Sequence, residues 1–283
     1  MKIQVVGLGL MGGSLCKAVR RYTDHTVLGM DLDGKTLQKA LEQGAIHEIG
    51  TMETLPEADL AIVCLYPEAA VRFLLDNGEK FRKGGLVCDI CGVKSAVVKA
   101  VSGPLNRLGV RFVGCHPMAG REFSGFDYAQ ADLFDGASFI LTPDEHTDPS
   151  AVAELEAFAR SIGFGQTVTA SPEEHDRIIA ATSQLAHVVS NAYMKSPTLQ
   201  KEAGFSAGSY LDLTRVAKLN EEMWTSLFLL NREALLYEVD TIMEHLSQYR
   251  DALNRQDAPY LRELLKEGRL LKEADSRLRK EKS

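Results

Sequence analysis

The sequence predicts an α/β protein in two parts: a helix-covered parallel sheet over residues 1–170 and an all-helical region over 171–283. Three observations predict it. Short unbroken apolar runs alternate with helical patterns as far as residue 170, a glycine-rich turn joins the first run to the first helix, and helical spacing takes over after Ala170. Strands covered on both faces read as continuous apolar runs, because helices shield both sides of a parallel sheet.

The first strand is "KIQVVG" (2–7), and "LMGGSLCKAVRRY" follows it with helical spacing. Further strands are "HTVLGMD" (25–31), "DLAIVCL" (59–65), "GLVCDI" (85–90), "VRFVGCH" (110–116), "SFILTP" (138–143) and "GQTVTA" (165–170), and "PEAAVRFLLDNGEKF" supplies another helix. The helical region has a clear start, with Ser171 as N-cap, Pro172 at the first helical position and Glu174 three residues past the cap. Residues 220–255 keep an apolar stripe at i, i+3, i+4 spacing without Gly or Pro, which predicts one helix of about ten turns. A last helix is predicted over 257–280. Stripes this long exceed what a small domain covers by itself, so a homodimer through the C-terminal helices is expected; a self-contained bundle is the alternative.

At 283 residues, two domains are expected, and 45% hydrophobic with 25% charged residues is the composition of a globular protein. The net charge of −7 argues against a nucleic-acid surface, which needs clustered cations, and "RLLKEADSRLRKEKS" interleaves its basic residues with acids. The start "MKIQVVGLGLMGG" lacks signal-peptide features and no apolar run approaches a bilayer span, so a cytoplasmic protein without membrane contact is expected. Five cysteines is an odd number, and most lie in apolar runs, which predicts reduced core thiols. Cys88-x-x-Cys91 has no second pair or spaced histidines to complete a tetrahedral site, so packing, and no metal, is expected of it.

"VVGLGLMGGS" places Gly7-x-Gly9-x-x-Gly12 between a strand and a helix. Gly7 permits the tight turn, Gly9 lets backbone approach a pyrophosphate, Gly12 lets helix and strand pack, and Leu8, Leu10 and Met11 complete the turn. Asp31 ends the second strand, where a carboxylate accepts hydrogen bonds from an adenosine ribose and repels a 2′-phosphate. A Rossmann-type domain binding NAD rather than NADP is therefore expected. The alternative is that the glycines serve turns and Asp31 a helix cap.

His116 ends an apolar strand in "GCHPMAGRE", and a nicotinamide ring is expected near it at the C-terminal edge of the sheet. A histidine there suits proton removal from a hydroxyl carbon that loses hydride, although a satisfied strand-end histidine reads the same. Gly92 in "CDICGVKS" lies at the end of the neighbouring strand and joins the expected cofactor contacts. Ser183 and His187 in "TSQLAHVV" share a helix face, as functional groups or as a core hydrogen-bond pair. Arg215, in an apolar stretch, suits bidentate binding of a carboxylate, or an ion pair with Asp212 or Glu222.

"GLGLMGGS", "HPMAGRE", "TSQLAHV" and "YLDLTRVAKLNEEMW" together resemble the successive motifs of the prephenate dehydrogenase family, from Lys2 to about Glu244. That family joins a dinucleotide-binding domain to a helical dimerisation domain. The resemblance implies NAD-dependent oxidative decarboxylation of prephenate to 4-hydroxyphenylpyruvate in tyrosine synthesis. It implies that His116 deprotonates or polarises the ring hydroxyl and that Arg215 binds a substrate carboxylate. His187 is then expected with His116 and Arg215 among the catalytic residues, supporting substrate binding, with Ser183 at the substrate, Glu122 gating or tuning the pocket and Trp224 as pocket wall. Two positions depart from the pattern. Gly92 stands where many relatives carry a serine bonded to the catalytic histidine, so either water or a neighbour such as Ser95 replaces it or the histidine is less well oriented, and Leu211 stands where some have a lysine. Arogenate is the alternative substrate, and no acidic residue is identifiable against its ammonium group. The chain is expected to carry no appended regulatory or chorismate mutase domain. Rivals are a β-hydroxyacid dehydrogenase, which would use a lysine on the interdomain helix where this chain offers His187, with Lys195 two turns further on, and an NAD sensor without turnover.

Overall fold

The computed structural model describes residues 1–121 and 123–281, apart from the side chains of 278–281. Strands β1 (Lys2–Val6), β2 (Thr26–Met30), β3 (Glu48–Ile49), β4 (Leu60–Val63), β5 (Leu86–Asp89), β6 (Arg111–Pro117), β7 (Ser138–Thr142) and β8 (Gln166–Thr169) form one sheet in the order β3-β2-β1-β4-β5-β6-β7-β8. Helices α1 (Leu10–Tyr22), α2 (Gly34–Glu42), α3 (Pro67–Asp76), α4 (Ser95–Arg107) and α5 (Pro149–Ser161) lie between strands. Then follow α6 (Pro172–Ile179), α7 (Leu185–Tyr193), α8 (Gly208–Thr214), α9 (Glu221–Leu230), α10 (Arg232–Asn254) and α11 (Ala258–Glu281).

The seven strands expected from sequence are present. The eighth, β3, is a two-residue, exposed edge strand too short to leave a pattern. Strand periodicity explains the two cores. Leu60 and Ile62 of β4, with Val113 and Cys115 of β6, enter one core with α1 and α5, whereas Ala61, Val63 and Phe112 enter the other with α3 and α4. His116 shares its parity with Phe112 and Gly114, and so faces the side covered by α4. The Gly114 side shows how tight that cover is, since a Cβ there would meet Val98 of α4 at 2.6 Å.

The expectation of a parallel sheet fails at one pairing: β6 and β7 are antiparallel. Among the described residues, their connection carries no crossover helix. It packs on the first turns of α1 instead, where the Gln130 N–H donates to Ser14 Oγ (3.0 Å) and Lys17 Nζ to the Ala129 carbonyl (3.0 Å). A connection that stays at one sheet edge returns the chain in the opposite direction. The predicted single helix over 220–255 is also two, α9 and α10, broken at Asn231. That residue is buried, and its amide donates to the Asp176 carbonyl (2.8 Å) and to Gln184 Oε1 (2.8 Å), contacts that fix its backbone outside the helical region. Ser171 caps α6 as expected, accepting the Glu174 N–H at 3.1 Å.

Composition changes at residue 170, and the contacts divide the chain later, inside α10, into Met1–Arg232 and Glu233–Ser283. The second unit is a helical hairpin that turns through Gln256 (φ +53°), with Tyr249 donating to the Leu264 carbonyl at 3.3 Å. Leu236, Met243, Leu246, Leu253, Leu265 and Leu271 are each at least half exposed along it. Among the described residues, no helix is long and apolar enough to cross a membrane. The five cysteines are free, and burial raises the thiol pKa of Cys16, Cys64, Cys91 and Cys115, which disfavours the reactive thiolate.

Candidate active site

The glycine turn is built by contact with β4. Gly7 adopts φ +92°, and a Cβ on it would stand 2.6 Å from the Cys64 carbonyl oxygen, while a Cβ on Gly12 would overlap the Gly7 carbonyl. At Gly9 an added Cβ would meet nothing within 4 Å. Gly9 is also the N-cap of α1, with no side-chain cap and no acidic residue in the first turn. The helix therefore offers uncapped N–H groups and its positive end at an open backbone surface, the arrangement that suits a phosphate. Leu8 and Leu10 are buried and Met11 half-buried around this turn. Asp31 closes it, with Oδ2 accepting the Leu8 N–H (2.7 Å) and Oδ1 the Asp33 N–H (2.9 Å).

His116 stands half-buried at the C-terminal edge of β6. Its Nδ1 is 2.9 Å from Nε2 of His175, whose Nδ1 is 2.8 Å from Asp176 Oδ1. The Asp176 carboxylate also accepts the Lys94 and Ser95 N–H groups, both at 2.8 Å, at the start of α4. Burial works against its charge, but bonds from His175, Ser95 and Lys94 outweigh that and hold the carboxyl below its usual range. Burial, then the His175 ring and the Lys94 ammonium, push His116 well below its ordinary value of 6.5; Asp176 opposes them. A neutral imidazole results, able to accept a proton.

Below His116 lies an ion pair that the sequence reading missed. Lys94, fully buried, donates Nζ to Asp89 Oδ2 and to the Cys115 carbonyl (2.7 Å). Burial opposes the Lys94 charge, but the Asp89 carboxylate prevails and holds the ammonium above its ordinary value. A lone lysine in the apolar "DICGVKS" was the available signal. His175 and Asp176 were masked because "PEEHD" reads as a solvated first helical turn, and Asn231 because it sits inside a helical stripe.

The remaining expected residues form a second group. His187 of α7 stacks on Trp224 of α9 with ring centroids 3.8 Å apart, and Trp224 in turn meets Phe228. Ser183 lies in a π-helical turn, Ala180–Gln184, between α6 and α7, and it is its carbonyl, rather than its hydroxyl, that accepts from His187 Nδ1 (2.9 Å). Single π turns inside helices recur at functional sites. Arg215 opens a short turn, Arg215–Ala217, that packs against α7, and its side chain is exposed. The two groups meet through α9. A Cβ on Gly92 would lie 3.7 Å from His116 Nε2 and 3.8 Å from Leu227 Cδ2, one turn after Trp224. Glu122 lies outside the described residues. Leu211 is exposed on α8, and Lys195 is exposed beyond the end of α7.

Comparison with known proteins places names beside this geometry. Residues 15–166 match the family description "Prephenate dehydrogenase, nucleotide-binding domain", and residues 171–267 match "Prephenate dehydrogenase, dimerization domain". A cyclohexadienyl dehydrogenase of Zymomonas mobilis is 32% identical, with 94% of this chain and 92% of that protein covered. The crystal structure of Synechocystis arogenate dehydrogenase is similar at TM-score 0.82 and 29% identity, covering 97% of this chain and 99% of that one. Prephenate dehydrogenase of Aquifex aeolicus, solved with hydroxyphenyl propionate and NAD+, reaches TM-score 0.82 at 28% identity, covering 97% and 98%.

Proposed function

Because this chain belongs to the prephenate dehydrogenase family, we propose that it oxidatively decarboxylates prephenate to 4-hydroxyphenylpyruvate with NAD+ as hydride acceptor, as a cytoplasmic homodimer in tyrosine synthesis. The observation that carries the reading is His116: an imidazole held neutral at the edge of the sheet that also bears the open glycine cradle. The relative solved with NAD+ supports the cofactor. The residues present fit it, since Gly9 leaves room for a pyrophosphate at the uncapped start of α1. Leu8, Leu10, Met11 and Gly12 complete that cradle, and Gly92, beside His116, is a further cofactor contact in this reading. Asp31, held by the Leu8 N–H, supports a reading in which its carboxylate takes the ribose hydroxyls and favours NAD over NADP.

Bound NAD+ supplies the hydride acceptor for the ring carbon that bears the hydroxyl. His116 Nε2 takes the hydroxyl proton as that carbon becomes a carbonyl. The ring carboxylate then leaves as CO2, its bonding electrons aromatise the ring, and His116 returns the proton to the oxygen. Arg215 binds a substrate carboxylate as a two-pronged donor, and Glu122 gates the pocket. His187 and Trp224 form one wall, with Ser183 at its base, and the stacked pair presents an apolar face to the ring. Exclusion of water by this wall strengthens the charge interactions inside.

Absorbance from NADH or NADPH, followed with prephenate or arogenate and either cofactor, tests the reading. Turnover with prephenate and NAD+ is expected to exceed the other three combinations. Preference for arogenate would replace the substrate, and no turnover with either would overturn the reading. Gly9→Ala is expected to keep the fold and its Tm, since its Cβ enters open space, but to weaken NAD+ binding at least tenfold by calorimetry. Unchanged NAD+ affinity would remove the cradle from the cofactor site.

A further inference from the structure

We propose that His175 and Asp176 are positioning residues that fix His116 as its Nδ1–H tautomer, and so leave Nε2 as the basic nitrogen in a chain that has glycine at position 92. The inference rests on the reading of His116 as the base, and follows from counting donors and acceptors along one line of hydrogen bonds.

The line starts at Asp176. Its carboxylate accepts two backbone N–H groups from the start of α4, so it is ionised and can only accept. His175 must therefore donate from Nδ1 to Asp176 Oδ1 at 2.8 Å. A neutral His175 then presents a lone pair on Nε2. His116 Nδ1, 2.9 Å away, must donate to that lone pair, which puts the His116 proton on Nδ1. Nε2 of His116 is left as the acceptor, and it is the nitrogen that faces Gly92.

His175 is buried, and the His116 ring faces it from β6, in hydrogen-bond reach of its Nε2. Among the described residues, Asp176 is the one carboxylate bonded to it, on its own helix. When His116 accepts a proton, the same line supplies a neutral ring and then a carboxylate behind the new charge, which stabilises the imidazolium without further proton transfer. The arrangement assigns the orienting role to α6. A serine at 92 would act from the opposite side, since a Cβ there lies 3.7 Å from Nε2, whereas His175 holds Nδ1.

Nitrogen-15 NMR of the histidine rings in the intact protein reads the tautomer directly, whether or not prephenate is the substrate. His116 is expected as Nδ1–H at neutral pH, and an Nε2–H signature in the wild-type protein would overturn the proposal. His175→Ala is expected to return His116 toward the Nε2–H tautomer and to lower kcat about 10- to 100-fold, part of what a whole general base contributes, with KM for NAD+ within about twofold. His175→Gln, whose carbonyl oxygen reaches about where Nε2 stood, is expected to keep the Nδ1–H tautomer and to restore most of kcat. Should the alanine variant fail to fold, the glutamine variant and the wild-type spectrum decide. A folded alanine variant with wild-type kcat would overturn the positioning role, as would a glutamine variant that keeps the tautomer yet loses activity as severely as alanine. Absent prephenate turnover beside an Nδ1–H signal would instead fault the proposed reaction.

Discussion

His116→Asn is expected to lower kcat with prephenate by about 10²–10⁴, equivalent to roughly 3–5 kcal/mol of transition-state stabilisation, while NAD+ affinity stays within about twofold. Asparagine suits the test because its amide can still donate toward His175 from near the Nδ1 position, but it offers no nitrogen where Nε2 stood. The variant therefore removes the proposed base and spares the network beneath it. Steady-state kinetics with both substrates varied checks the result. A loss under tenfold would mean that His116 is a satisfied strand-end histidine and that the proton leaves by another route.

The pH dependence of the wild-type enzyme gives the same assignment a second reading. Burial, with His175 and Lys94, lowers the His116 pKa below 6.5, so the neutral base persists into mildly acidic solution. The acid limb of kcat/KM is expected below that value, and a limb above it would contradict the burial argument. The sign for stability follows. A histidine depressed in the folded state binds fewer protons there than in the unfolded chain, so its contribution is present above pH 6.5 and is lost as pH falls through the window beneath it. His116→Asn should flatten that part of the stability profile.

Lys94→Met is expected to be the most destabilising single change, costing about 3–5 kcal/mol. Its methylene stem is replaced with little change in volume, so the effect isolates charge. Asp89 would be left fully buried, with the Cys91 N–H (2.9 Å) still bonded to Oδ2 and no cation beside it; its Oδ1 already lacks a hydrogen-bond partner among the described residues. The Cys115 carbonyl would lose its donor as well. Replacing both partners, as Lys94→Met with Asp89→Leu, should recover at least half of the loss, because burying an ion pair costs solvation that two apolar side chains do not incur. Urea unfolding of the single and double variants checks this. A single variant within about 1 kcal/mol of wild type would show that the pair contributes little at this position.

How far the site was legible depended on whether each residue's partner lay nearby in sequence. The glycine turn was legible because all of its constraints fall within a few residues of the first strand. His116 was legible because an apolar strand ended on it. The same strand gave no hint of His175, 59 residues away, or of Lys94, 22 residues earlier. Ser183 and His187 were placed on one helix face by spacing, yet spacing could not tell a hydroxyl from a carbonyl as the acceptor. The break at Asn231 was invisible because its cause is the burial of an amide against Asp176 and Gln184, neither of which is on its helix.

By itself the sequence determined the α/β class, the positions of seven strands, the glycine turn and the family, since each rests on local spacing, turn chemistry or short motifs that repeat the same constraint wherever they fold. Only the tertiary structure decided the antiparallel β7, the split of the long helix and the line from α4 through Asp176 and His175 to His116. These depend on which distant groups are driven into one low-dielectric space, where every donor must find an acceptor and every charge a partner. That pairing is a property of the packed chain, and no window of residues contains it.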